Sequence, residues 1–268
     1  MLIQKESFSD LPRRAFSATV FSIFAFSALY FSGYFTILFL CFCNGMLMWE
    51  VFNITNRNFS SSLKFHVPPI CLMSVCPMFY SLPGLAIIII IISALLSFNT
   101  QNGKLTNAFC ALYIGVSFLL FYKIFTAENN VSGFLIIMFI ISVVVSSDIG
   151  GYFSGRVIGG AKVWKRISPN KTWSGLIGGW VLAMFSGYCF SFVLDYEILF
   201  VLILSFALAV ASQVGDFFQS SIKRYYDVKD SGFILSGHGG LFDRFDGLLL
   251  AVPTYFFINL TLKSVVLI

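Results

Sequence analysis

LAIIIIIISALLSF, running from Leu85 to Phe98, decides what kind of fold this chain adopts. A β-branched run such as Ile87 to Ile92 would suit a strand buried on both faces. In hydrocarbon, however, a strand leaves its N–H and C=O groups unpaired unless a closed barrel pairs them. The period-two alternation of barrel strands is absent from the chain. A helix satisfies its own backbone, so the stretch reads as a helix in lipid. Composition supports the choice of solvent. Of 268 residues, 58% are hydrophobic and 11% are charged, whereas soluble chains run near half apolar and about a quarter charged.

Working outward from this stretch, apolar runs long enough for helices recur at 15–32, 34–52, 67–80, 85–98, 106–125, 132–150, 174–194, 197–218 and 247–266. The expectation is an all-α polytopic integral membrane protein with about nine transmembrane helices, each using roughly 20 residues to cross the bilayer. The run at 67–80 is short and holds or borders Pro68, Pro69 and Pro77, and Pro83-Gly84 joins it to the next. The pair reads as tilted or re-entrant helices, and either returns the chain to the same side. Residues 1–130 hold the first five spans. Residues 131–268 form a C-terminal region with polar loops at 148–175 and 215–247.

Orientation follows from the basic residues. With the N-terminus in the cytoplasm, only Lys123 and Lys263 of the 17 Lys and Arg residues fall outside, which satisfies the positive-inside bias. The net charge of +5 therefore calls for no nucleic-acid partner. Some of these cations also suit anionic lipid headgroups. Arg13-Arg14 before the first span resembles the start of an export signal, but no cleavage site follows and the rest of the chain is itself membranous. The six cysteines lie in or beside apolar spans without a CxxC pair, and the two histidines, His66 and His238, are far apart. Buried thiols fit that pattern better than zinc ligands or disulfides.

The two polar loops carry the chemistry. The first reads DIGGYFSGRVIGGAKVWKRISPNKTWSG from Asp148 to Gly175. Gly155 to Lys162 approaches a phosphate-binding P-loop, but Ala161 precedes the lysine and Val163 follows it, so that signature fails. Its glycines suit close helix packing. Lys171 stands in Ser-Pro-Asn-Lys-Thr, where Pro169 sets a turn and Thr172 caps the next helix. A lysine there suits a bound phosphate. The second loop runs from Gly215 to Gly247. Asp216 falls in the last turn of an apolar span, where an unpaired carboxylate is costly and usually functional. Asp243 and Asp246 are three apart and would share a face if helical. Carboxylates converging from facing helix ends suit a hard divalent cation, most simply Mg²⁺. Lys223, Arg224 and Lys229 add charge for phosphates, and Gly237, Gly239 and Gly240 around His238 permit close backbone approach.

Ser220 to Asp246, SSIKRYYDVKDSGFILSGHGGLFDRFD, resembles the signature of the phosphatidate cytidylyltransferases, or CDP-diacylglycerol synthases. Ser220, Lys223, Arg224, Lys229, Asp230, Gly232, His238, Gly239, Gly240, Asp243, Arg244 and Asp246 carry it. The first loop is similar at Asp148, Tyr152, Phe153, Gly155, Arg156, Ser168-Pro169 and Lys171-Thr172. It departs at Ser174, where the family has Glu, and at Gly151, where it has Ala. The N-terminal half resembles the family in hydrophobic layout alone.

The resemblance implies that CTP and phosphatidate give CDP-diacylglycerol and pyrophosphate on the cytoplasmic face of a bacterial inner membrane, in phospholipid biosynthesis. Asp216 and Asp243 would hold Mg²⁺, with room for a second cation such as K⁺. Arg156, Lys171, Lys223, Arg224, Lys229 and Arg244 would bind phosphates. His238 would orient or stabilise, and Asp246 would be either a second ligand or the partner of Arg244. The resemblance also suggests a homodimer. A CTP-dependent lipid-alcohol kinase of the dolichol or phytol type shares the superfamily and stays open as an alternative. An ion-coupled transporter using Asp148 and Asp216 is a further one, although these charges gather at one membrane face and not at the midplane.

Overall fold

The computed structural model describes residues 11–31, 33–56, 70–71, 75–76, 82–98, 103–126, 130–194, 196–232 and 240–266. Eight long helices dominate them: α1 (Leu11–Phe31), α2 (Tyr34–Thr55), α3 (Pro83–Phe98), α4 (Lys104–Thr126), α5 (Asn130–Val157), α6 (Trp173–Ser191), α7 (Ile198–Tyr225) and α8 (Leu248–Val266). The isoleucine run lies inside α3, as the backbone argument requires. Five helices, α2, α4, α5, α6 and α7, are long and apolar enough to cross a membrane, and α1, α3 and α8 contain shorter apolar segments. Leu38, Leu95, Phe185 and Leu199 point outward from four different helices. That outward apolar surface suits lipid as solvent. The run at 67–80 lies almost entirely outside the described residues.

The structure differs from the sequence expectation in three places. Helix α5 runs to Val157, so Asp148 to Arg156 are helical and only the remainder of the first polar segment is loop. That remainder contains the only strands among the described residues: β1 (Lys162–Trp164) and β2 (Ser168–Thr172) form an antiparallel hairpin, with Lys162 opposite Thr172 and Trp164 opposite Ser168. Pro169 therefore sits in a strand, two residues past the Lys165–Ile167 turn, where a two-stranded ribbon tolerates its missing N–H. Helix α7 likewise outlasts the expected span and ends at Tyr225, which puts Asp216, Ser220, Lys223 and Arg224 on one continuous helix. Finally, Asp243 and Asp246 lie in turns before α8, not in its first helical turn.

Helix α5 packs on α6, α6 on α7, and α8 against α7 and α4. The α5–α6 contact is made of small residues. A Cβ on Gly150 would stand 2.5 Å from the Gly178 carbonyl oxygen, and one on Gly175 would stand 2.8 Å from that of Gly151. The glycines of the first polar segment thus serve backbone-to-backbone packing in lipid. Thr172 caps α6 as expected, its hydroxyl accepting from the Gly175 N–H at 3.1 Å. Trp173 N–H donates to the Ala161 carbonyl at 3.1 Å, closing the hairpin onto the cap. Lys171 is therefore fixed at the α6 entrance, one residue before the cap.

Candidate active site

Three elements bring carboxylates together: α5 supplies Asp148, α7 supplies Asp216, and the turn before α8 supplies Asp246. Gln213, one turn before Asp216, holds α5, α6 and α7 in place. It donates to Ser147 Oγ at 3.3 Å and to the Leu176 carbonyl at 3.1 Å, and accepts from Trp180 Nε1 at 2.7 Å. The turn carrying Asp246 touches α7 at Gly215, where a Cβ would stand 2.5 Å from the Asp246 carbonyl oxygen. A single methyl group there would push the acid away from Asp216.

The two acids expected to share a metal have different surroundings. Asp216 faces the Lys171 ammonium through Oδ2 and accepts from Ser220 Oγ through Oδ1 at 3.2 Å. Lys171 Nζ also stands 4.3 Å from the centre of the Phe217 ring, so an aromatic face helps to hold the cation. Asp243 receives Lys223 Nζ at 2.6 Å on Oδ1, and on Oδ2 the Ser231 N–H at 2.9 Å, Ser231 Oγ at 3.0 Å and the Gly240 N–H at 3.1 Å. Burial alone would raise the Asp243 carboxyl, but Lys223 and the two backbone N–H groups outweigh it and hold the group below its ordinary value. Asp246 goes the other way. Burial, then the carboxylates of Asp216 and Asp148, push it up to about 8, although the Gly247 N–H donates to it at 2.8 Å. Asp243 and Asp246 therefore differ in setting, although both line one cavity. One closes a loop and the other joins the acidic cluster.

Two cavities adjoin this cluster. The first, of about 570 Å³, is lined by Arg156, Lys162, Lys171, Asn170, Thr172 and the glycines of the α5–α6 contact, and it ends on Asp148 and Asp216. The second, of about 560 Å³, lies among α1, α2, α4 and α5, with Phe21, Ala25, Phe26, Leu29, Leu40 and Met138 in its walls. Its polar end holds Arg244, Asp243, Asp246 and, again, Asp148 and Asp216. One pair of carboxylates is common to a cationic cavity and an apolar one.

Not every expected residue gathers here. Arg156 lines the first cavity, with its guanidinium donating to Tyr152 Oη at 2.6 Å. Arg224 is turned to the hairpin instead, donating to the carbonyls of Ile167 at 3.3 Å and Val228 at 3.2 Å. Lys229 is exposed and lines neither cavity. His238, Gly237 and Gly239 lie outside the described residues. Ser174, which stands where the resemblance expects Glu, meets Thr172 Oγ1 at 3.0 Å and donates to the Gly159 carbonyl, so its contacts here are those of a brace for the hairpin. No three acid, imidazole or thiol groups already converge at metal-ligand spacing among the described residues.

One group escaped the sequence reading altogether. Glu50, in the C-terminal part of α2, is fully buried and accepts from the N–H groups of Leu241 at 2.8 Å and Phe242 at 2.7 Å and from Ser231 Oγ at 2.9 Å. Its signal was in plain view: it is a lone acid in the apolar run MLMWEVF, and an ionisable group inside such a run marks a functional or organising position.

The chain is similar to the phosphatidate cytidylyltransferase of Bacillus subtilis (strain 168), 41% identical over 150 residues, covering 55% of this chain and 55% of that protein. It is similar to the protein of that name from Rickettsia bellii (strain RML369-C), 40% identical over 144 residues, covering 51% and 62%. A third, from Brucella suis biovar 1 (strain 1330), is 48% identical over 120 residues, covering 44% of each chain. The matched segment thus spans about half the length of these curated relatives. The sequence model of the Cytidylyltransferase family extends further, matching residues 12–262, from α1 to near the end of α8. With the acids, the hairpin lysine and both cavities all inside that match, the chain belongs to the cytidylyltransferase family.

Proposed function

We propose that this protein transfers the cytidylyl group of CTP to phosphatidate, giving CDP-diacylglycerol and pyrophosphate. The meeting of a cationic cavity and an apolar cavity at Asp148 and Asp216 carries this reading. A nucleotide triphosphate needs the first kind of wall and a diacylglycerol needs the second, and the reacting phosphates must meet where the two join. The relatives named above bear the name of this activity.

In the reaction a phosphate oxygen of phosphatidate attacks the α-phosphorus of CTP. The bond from that phosphorus to the bridging oxygen breaks, and pyrophosphate leaves with the electron pair. The attacking phosphate is already ionised at neutral pH, so the chain needs no strong base. What it must overcome is repulsion between two anions. Arg156, Lys162 and Lys171 are placed to hold triphosphate oxygens and to stabilise the charge that grows on the leaving group. Arg244, at the polar end of the apolar cavity, is placed to receive the phosphatidate headgroup while the acyl chains stay among Phe26, Leu29 and Met138. Lys171 exchanges Asp216 for a phosphate when CTP enters.

The donor set fits a hard cation in kind, since Asp148, Asp216 and Asp246 offer only oxygen and crowd one another enough to raise Asp246. In this reading Asp216 and Asp243 hold Mg²⁺, with Asp246 beside them. Asp243 would contribute an oxygen by loosening its Lys223 contact. The ion would supply charge neutralisation and alignment of attack with departure. Arg156, Lys162, Lys165, Arg166, Lys171, Lys223 and Arg224 collect around the hairpin and the adjoining end of α7, which favours placing that end in the cytoplasm. The same reading puts the protein in a bacterial inner membrane.

CTP labelled at either the α- or the γ-phosphorus tests it in vesicles containing the purified protein, Mg²⁺ and phosphatidate. The expected result is lipid labelled from the α-position alone. Lipid labelled from the γ-position would overturn the reading in favour of a kinase, and no labelled lipid from either would remove nucleotide chemistry from the proposal.

A further inference from the structure

The catalytic signature lies in the C-terminal half, but the group that holds its central loop in place comes from α2. Glu50 Oε1 and Oε2 take the N–H groups of Leu241 and Phe242, the two residues just before Asp243. Ser231 Oγ stands 2.9 Å from Glu50 Oε2 and 3.0 Å from Asp243 Oδ2, linking the two carboxylates through one hydroxyl. The carboxylate also explains two glycines of the signature. A Cβ on Gly240 would stand 2.6 Å from Glu50 Oε1, and one on Gly232 would stand 3.0 Å from it. Both ends of the loop close on the same buried acid, and a side chain at Gly240 would expel it.

We propose that Glu50 is a positioning residue of the active site: by collecting the Leu241 and Phe242 N–H groups and the Ser231 hydroxyl, it fixes where Asp243, and through it Lys223, stands against Asp216. Leu241 and Phe242 are themselves buried, so without Glu50 their N–H groups would have no solvent to turn to. Neither cavity is lined by Glu50, so it acts on chemistry only through the loop. The cationic cavity is built by α5, the hairpin and α6, with Gln213 and Asp216 from α7, and none of its lining residues hydrogen-bonds to Glu50. CTP affinity and turnover should therefore separate when Glu50 is changed.

Glutamine is the informative replacement. Both carboxylate oxygens accept from backbone N–H groups, so an amide NH₂ must face one of these donors whichever way it is turned. Glu50→Gln should lower kcat by about 10- to 100-fold, the usual cost of removing a group that orients others in a site. CTP bound at equilibrium should change less than about threefold. Glu50→Asp keeps the charge one methylene short and should recover part of the loss. Amide exchange should quicken across residues 240–246 in the Gln variant while the β1–β2 hairpin and α6 stay protected.

The inference rests on the cytidylyltransferase reading for its kinetic arm, and wild-type protein assayed in parallel separates the two. If wild type transfers label but Glu50→Gln keeps wild-type kcat per bound CTP, Glu50 is a structural group only and the proposal falls. If wild type transfers nothing, the function reading falls, and amide exchange alone decides: unchanged exchange at 240–246 overturns the positioning role, and local acceleration there supports it. Should Glu50→Gln not insert, Glu50→Asp takes its place with the same criteria.

Discussion

Asp216 and Asp243 are the same residue type at the same site, yet the protein surrounds them differently. Asp216 has one ammonium and one hydroxyl and opens on both cavities. Asp243 is met by Lys223, two backbone N–H groups and the Ser231 hydroxyl, whose single proton it shares with Glu50, and it stands in a loop that this second carboxylate holds from behind. A carboxylate with few partners and access to ligand can exchange one cation for another during a reaction. A carboxylate held by contacts on both oxygens is positioned more tightly, and Asp243 still keeps a lone pair on Oδ1 for an ion. The site thus contains a working acid and an anchoring acid, and substitution should tell them apart.

The largest effect is expected from the acids themselves. Asp216→Asn should cost at least about 100-fold in kcat, or about 2.7 kcal/mol of transition-state stabilisation. Its thermal melting in detergent should stay close to that of wild type. Asp243→Asn should lose activity as well, but also stability. Its NH₂ would face either the Ser231 and Gly240 N–H groups or the Lys223 ammonium as donor against donor, and Lys223 would lose its counter-charge, at a cost on the order of 1–3 kcal/mol for each unsatisfied group. Equal melting temperatures for the two variants would erase the distinction between them.

The lysines give the next effect. Lys171 reaches Asp216 at the end of the cationic cavity, Lys162 donates to the Asn170 carbonyl at 3.1 Å within the hairpin, and Lys165 stands in its exposed turn. Lys171→Met should lower kcat/KM for CTP by roughly 30- to 1000-fold, which corresponds to a contact of about 2–4 kcal/mol. Lys165→Met should cost little, with Lys162→Met between them. Steady-state kinetics showing equal losses for all three would return the Ser-Pro-Asn-Lys-Thr segment to a purely structural role.

A smaller, pH-dependent effect belongs to Asp246. In the fold this carboxyl titrates near 8, against 3.8 for an unperturbed group. Between those values the folded state holds a proton that the unfolded chain has released. The group's contribution to stability is therefore complete below about pH 4 and is lost as pH rises through 8. Asp246→Asn, which needs no proton, should melt like wild type below about pH 4 and increasingly above it from pH 4 to 8, with the difference levelling off at higher pH, in metal-free buffer. A difference that does not change with pH would mean that Asp246 is not crowded by Asp148 and Asp216.

Much of this could be read before any coordinates. The helices follow from backbone satisfaction in lipid, and the acids and Lys171 follow from charge placed at helix ends. The hairpin was not legible, because Lys162–Trp164 and Ser168–Thr172 are too short and polar to carry a strand pattern, and Pro169 argues for a turn. The different fates of Asp243 and Asp246 were hidden as well. Spacing of three implies a shared face only inside a helix, and α8 begins after both. Glu50 was missed although its polarity in an apolar run was visible, since its partners lie far along the sequence. Local pattern says that a buried acid needs donors, and only tertiary structure says which.

The central claim, that two substrates occupy two cavities and meet at Asp148 and Asp216, is tested most directly by spoiling each cavity alone. Ala25→Phe puts a ring into the apolar cavity, and Arg156→Met removes a charge from the cationic one. In mixed micelles with both substrates varied, Ala25→Phe should raise KM for phosphatidate about tenfold or more and leave KM for CTP unchanged, and Arg156→Met should do the reverse. If both variants raised the same KM, or if Ala25→Phe raised KM for CTP alone, the two-cavity account would be contradicted.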